Sequence, residues 1–161
     1  MAESLGKTMS IATDAELAPQ SSTRLWSSPV SALPARPEEA FLDARLAAEP
    51  FEPRDASKAR VRRSTAFLAE PKSCALADAK IQVRAVDAGE GAAVSLRAEA
   101  PAFFVAPTAE GVAGRFEDSG FALAAKEERV LRFIPAEGSP TPKAAELEKA
   151  LRVYDLRGSY E

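Results

Sequence analysis

The sequence predicts an all-β protein: two β-sandwich units in tandem, the first incomplete, with a short helix near the C-terminus. Apolar residues recur with a period of two in segment after segment, and successive strand side chains point to opposite faces. Turn signals built on Gly, Pro and Asp punctuate the chain about every 8–12 residues, as short antiparallel strands require. No strand pattern alternates with a long helical one, which disfavours a parallel sheet.

In residues 8–17, Met9, Ile11, Ala15 and Leu17 alternate with Thr8, Ser10, Asp14 and Glu16, a half-buried strand. Residues 22–28, with Leu25 and Trp26 among Ser and Thr, read as a weaker second strand. Pro29, Pro34 and Pro37 follow, and proline lacks the amide donor of a ladder, so this stretch is a connection. Residues 39–47 set Ala40, Leu42, Ala44 and Leu46 against Phe41, Asp43 and Arg45; Pro37 and Pro50 bracket a piece too short for a typical helix, so it reads as a strand. After a Pro-bearing loop at 51–57, Val61, Thr65 and Phe67 alternate with Arg60, Arg62 and Ser64 in a fourth strand. The pattern breaks at Glu70-Pro71-Lys72, where Pro71 biases Glu70 to extended geometry, and the boundary between units 1–70 and 71–161 is placed there.

Downstream, Ile81 and Val83 alternate with Gln82 and Arg84, and Val94 and Leu96 with Ser95 and Arg97. The Asp87–Gly91 turn makes 80–99 a hairpin. Phe103, Phe104 and Val105 form a short strand expected to end at Pro107. Turn signals follow at Glu110-Gly111 and Asp118-Ser119-Gly120, with Asp118 expected to bond its own backbone two residues on. Leu131 and Phe133 lie opposite Val130 and Arg132 in a further strand. Past a loop at 136–142, Lys143 to Ala150 read as a short helix capped by Thr141, and Leu151–Tyr154 as a last strand. An immunoglobulin-like sandwich needs about seven strands and roughly 100 residues, so the second unit is complete and the first lacks its opening strands.

The chain has 161 residues, 46% of them hydrophobic and 28% charged, with a net charge of -3, which is globular composition. It contains no His and no Asn, and a single Cys, Cys74. A Ser–His triad, most zinc sites and an internal disulfide are therefore excluded. The acidic balance disfavours nucleic acid as a partner. No apolar run approaches the roughly 18–20 residues that span a bilayer, and the N-terminus lacks the apolar core of an export signal, so the expected setting is cytoplasmic, away from membranes.

Candidate chemistry is sparse. The carboxylate pairs Glu38-Glu39, Glu117-Asp118 and Glu127-Glu128 are adjacent in sequence, so in a strand their side chains diverge. No spacing matches a calcium loop. Cys74 near Lys72 reads as a small, partly buried residue. The cluster Arg54, Lys58, Arg60, Arg62 and Arg63 reads as a solvated face with a weak pull on anions. Sugar-stacking platforms are limited to Trp26, Tyr154 and Tyr160.

The order of motifs up to residue 161 resembles the C-terminal end of β-mannosidases of glycoside hydrolase family 2. Phe67-Leu68 and Pro71-Lys72 match that family's linker into its last domain. Gly114, Phe116, Asp118, Phe121 and Leu123 match its Gly-x-Phe-x-Asp-Asn-x-Phe-x-Leu stretch, and Phe133 lies in the strand that follows. Ser119 stands where the family has Asn, and Ala125-Lys126-Glu127 replaces its Pro-Gly-Glu turn. Residues 6–48 also look like the later part of the preceding sandwich domain. The resemblance implies two immunoglobulin-like units that are accessory to a catalytic barrel. The barrel supplies two Glu, one preceded by Asn, and a chain without Asn cannot carry that pair. No catalytic, cofactor-binding or metal-binding residue is carried over. The implied role is a non-catalytic fragment serving structural packing, with the catalytic part of a β-mannosidase as partner. A stand-alone carbohydrate-binding module with weak sugar contact and a protein-interaction domain are the alternatives.

Overall fold

In the computed structural model, residues 20–33, 35–48, 60–87 and 91–160 are described. The chain divides into two compact units, Met1–Cys74 and Ala75–Glu161. The strand expected at 8–17 and the loop at 51–57 lie outside the described residues.

In the first unit, β1 (Phe41–Ala48) and β2 (Arg60–Phe67) form an antiparallel pair, with Phe41 opposite Phe67 and Arg45 opposite Arg63. Like charges facing across a ladder repel. Asp43 relieves this pair: Arg63 donates to both its oxygens, at 2.6 and 3.0 Å, and Arg45 donates to Oδ2 at 3.2 Å. Burial pushes the Asp43 carboxyl up, but the hydrogen bonds and charges of Arg63 and Arg45 together outweigh it and hold the group below its ordinary range. The strand expected at 22–28 is absent. That segment is irregular, and its Ser and Thr give it no continuous apolar face to bury; Trp26 remains 40% exposed. Pro37 and Pro71 each open a single turn of 3-10 helix, at Pro37–Glu39 and Pro71–Ser73, where a missing amide costs nothing.

The second unit holds seven described strands in two antiparallel sheets. They are β3 (Gln82–Asp87), β4 (Ala92–Arg97), β5 (Ala102–Ala109), β6 (Gly114–Phe116), β7 (Phe121–Leu123), β8 (Glu128–Pro135) and β9 (Leu151–Tyr154). The sheet orders are β3-β4-β8-β6 and β7-β5-β9. This is the immunoglobulin-like sandwich that the strand count requires. Alternation sends Val94, Leu96, Leu131, Phe133 and Phe116 inward from one sheet to meet Val105, Leu123 and Ala102 from the other. The helix α1 (Ala144–Ala150) is too short to stand alone. It is held by Leu147, which is fully buried in the shared core.

Three local expectations need correction. The strand does not stop at Pro107 but runs through it to Ala109. Glu110 N–H donates to Ala150 O at 2.8 Å, so by alternation residues 108 and 106 also face β9. Pro107 therefore turns its missing donor the other way, beyond the last pairing with β7 at Val105↔Phe121. Thr141 does not cap the helix: the N-cap position is Lys143, and no side chain bonds there. The Asp118 carboxylate accepts from the next residue, Ser119 N–H at 2.8 Å, and not from the one two residues on.

Candidate functional site

Six of the motif residues come together at one corner of the second unit. Phe116 and Phe133 sit opposite each other on β6 and β8, their rings edge to face with centroids 5.3 Å apart. Gly114 starts β6 at φ +153, beneath the Phe133 ring, and a Cβ there would lie 2.5 Å from both Ile134 O and Phe133 Cζ. The Gly114 position is thus demanded twice, by its dihedral and by the ring above it. Gly120, at φ +73, turns the chain into β7 and donates to Val105 O at 2.9 Å. Phe121 and Leu123 then point toward the core, Leu123 buried and Phe121 packed against the cluster.

Arg129 closes the corner. Its guanidinium lies 4.1 Å from the Phe121 ring centroid and pairs with the Asp118 carboxylate. Asp118 thus holds the turn from β6 to β7 against β8. The sequence analysis did not single out Arg129 as the partner of Asp118. The available signal was an Arg on the inward period of a strand, beside Leu131 and Phe133. Phe67, Pro71 and Lys72 belong to the first unit. Phe67 is half-buried in the β1–β2 pair, Pro71 opens its 3-10 turn, and the exposed Lys72 lies 3.8 Å from Glu70.

All but Glu38 of the carboxylates weighed for catalysis are spent on structure, Asp118 on Arg129 as above. Glu117 accepts from Arg132 N–H at 3.0 Å, Glu127 from Ala124 N–H at 2.9 Å, Glu128 from the Ser95 hydroxyl, and Glu39 pairs with Arg36. The Arg36 hydrogen bond, then its charge, lowers the Glu39 carboxyl below its usual value, as for a surface ion pair. Cys74 is part-buried, its Sγ 3.5 Å from Glu70 O. Of the basic cluster, Arg54 and Lys58 lie outside the described residues, and Arg63 is occupied by Asp43.

One open groove of about 290 Å³ lies along Ile81, Val83, Leu151 and Val153 and holds a single carboxylate, Glu148. Retaining glycoside hydrolysis needs two, facing each other at about 5–5.5 Å. Among the described residues no three His, Cys, Asp or Glu side chains gather as metal ligands, and no helix is long and apolar enough to cross a membrane.

What the second unit offers instead is two outward sheet faces. On the β7-β5-β9 sheet, Phe104 and Tyr154 are 54% and 57% exposed. Phe104 adopts φ +53 at a bulge where β5 carries one residue more than β7. On the β3-β4-β8-β6 sheet, arginines share the surface with Val130 and Ile134. No curated protein matches the chain. A family model does: Ig_mannosidase, an Ig-fold domain found in β-mannosidases, over residues 76–159.

Proposed function

The chain belongs to this family of mannosidase-type Ig-fold domains, and we propose that it works as the non-catalytic C-terminal accessory region of a β-mannosidase. The retaining cleavage of terminal β-D-mannosides is done by a barrel domain absent from these residues, and the sandwich contributes packing area to that barrel's body. The carrying observation is the family match over 76–159, more than half of the chain. The described carboxylates support it, since five of the six weighed for catalysis are tied to a backbone amide, a hydroxyl or an arginine, and the sixth, Glu38, is exposed.

The test is addition of the full chain in trans to a β-mannosidase truncated before its terminal Ig-fold domain. The half-life of heat inactivation should lengthen severalfold, because a partner that binds only the folded body stabilises it by mass action. An unchanged half-life with saturating chain contradicts the reading.

The exposed Phe104 and Tyr154 support a second reading, a face for weak carbohydrate contact, since aromatic faces stack on sugars. Titration with manno-oligosaccharides should then shift the Tyr154 ring resonances, and a Tyr154→Ala chain that binds equally well rules this face out.

A further inference from the structure

We propose that the outward face of the β3-β4-β8-β6 sheet is the surface that docks on an acidic protein surface, the body of the β-mannosidase. The inference deepens the functional reading above and rests on it.

Strand alternation builds this face. Val83, Val94, Leu96, Leu131, Phe133 and Phe116 point to the core, so Arg84, Arg97, Arg132 and Arg115 point outward, one from each strand. All four are exposed. Within 4.0 Å none of them meets a described carboxylate, although ion pairs form elsewhere in the unit at Arg129–Asp118, Lys80–Glu99 and Arg152–Glu110. Among the described side chains two carboxylates reach the face, Glu128 bonded by the Ser95 hydroxyl and Glu117 by the Arg132 amide. Those two carboxylates keep their charge, Glu128 directly opposite Arg97, so four arginines face two glutamates and this sheet carries a net positive face in a chain whose net charge is -3. An acidic surface would relieve that repulsion and be steered to it.

The composition selects a protein as the occupant. Every cation is Arg and none is Lys, the preference of interfaces and of forked pairing with carboxylates. Val130 and Ile134 stand among the arginines, 54% and 39% exposed, and offer apolar contact that an acidic polysaccharide does not need. The outward positions of the sheet hold no aromatic ring on which nucleic-acid bases could stack.

The test is calorimetric titration of the full chain into a β-mannosidase body truncated before its terminal Ig-fold domain. Wild-type chain should bind, with affinity falling about tenfold or more between low salt and roughly 0.3 M salt. The triple variant Arg84→Glu, Arg97→Glu, Arg132→Glu should lose at least about thirtyfold. Arg152→Glu, on the other sheet, should stay within about threefold of wild type. A folded triple variant that binds like wild type overturns the assignment of this face and leaves the functional reading standing. Failure of the wild type to bind the body removes both. Should the triple variant not fold, a wild-type affinity indifferent to salt overturns the proposal. Binding to heparin without binding to the body also overturns it, in favour of an anionic glycan.

Discussion

Replacing Gly114 with Ala tests the corner on which the sandwich closes. The new Cβ would lie 2.5 Å from Ile134 O, 2.5 Å from Phe133 Cζ and 2.7 Å from Phe133 Cε1. The φ of +153 belongs to a region that L-residues avoid, a cost of about 1–3 kcal/mol. The overlap adds about 1–3 kcal/mol, because Phe133 is locked against Phe116 and the carbonyl belongs to the β8 backbone. The expected loss is therefore about 2–6 kcal/mol, or a fall in Tm of roughly 10–45 °C for a domain of this size. Gly111 is the control: its φ is +71, but nothing lies within 4 Å of a Cβ there. Gly111→Ala should cost only about 1–2 kcal/mol of left-handed strain. Thermal unfolding followed by far-UV circular dichroism measures both. If Gly114→Ala matches Gly111→Ala to within about 0.5 kcal/mol, the close approach of ring and glycine is refuted.

Leu147→Ala, which empties the one fully buried position of α1, should destabilise the second unit by about 2–5 kcal/mol in urea unfolding; a loss under about 1 kcal/mol would mean that the helix is not seated in the core. Arg129→Met removes both the Asp118 pair and the contact with Phe121, and because the groups are partly exposed the cost should be only about 1 kcal/mol and shrink in high salt. Asp43 is held below its ordinary range, so its pairing contributes stability above about pH 4 that is lost as pH falls through the lower, folded value. Carboxyl NMR titration should place its midpoint below about 3.9, and a midpoint at or above that value would show the Arg63 and Arg45 contacts to be ineffective.

Period-two patterning made most of the second unit legible in the sequence. Ile81/Val83, Val94/Leu96 and Leu131/Phe133 each marked the inward face of a strand, and the structure sends all three pairs to one core. Local signals failed where a long-range partner decided the outcome. Pro107 is tolerated inside β5 only because β7 has ended on that side, which no reading of residues 103–107 contains. Residues 22–28 have a weak alternation but no apolar face, and propensity alone did not make a strand. Arg84, Arg97 and Arg132 were each visible as the polar alternates of their strands. That they share one face with Arg115 depends on the β3-β4-β8-β6 order, which is a property of the fold. Asp118 was legible as a turn residue, whereas its partner Arg129, on β8, was not.

The claim that these residues carry packing and no bond-breaking chemistry is tested most directly by incubating the purified full chain with an aryl β-mannoside. The account predicts release of the aryl group at the buffer rate alone. Enzymatic turnover that survives further purification and saturates with substrate would contradict it.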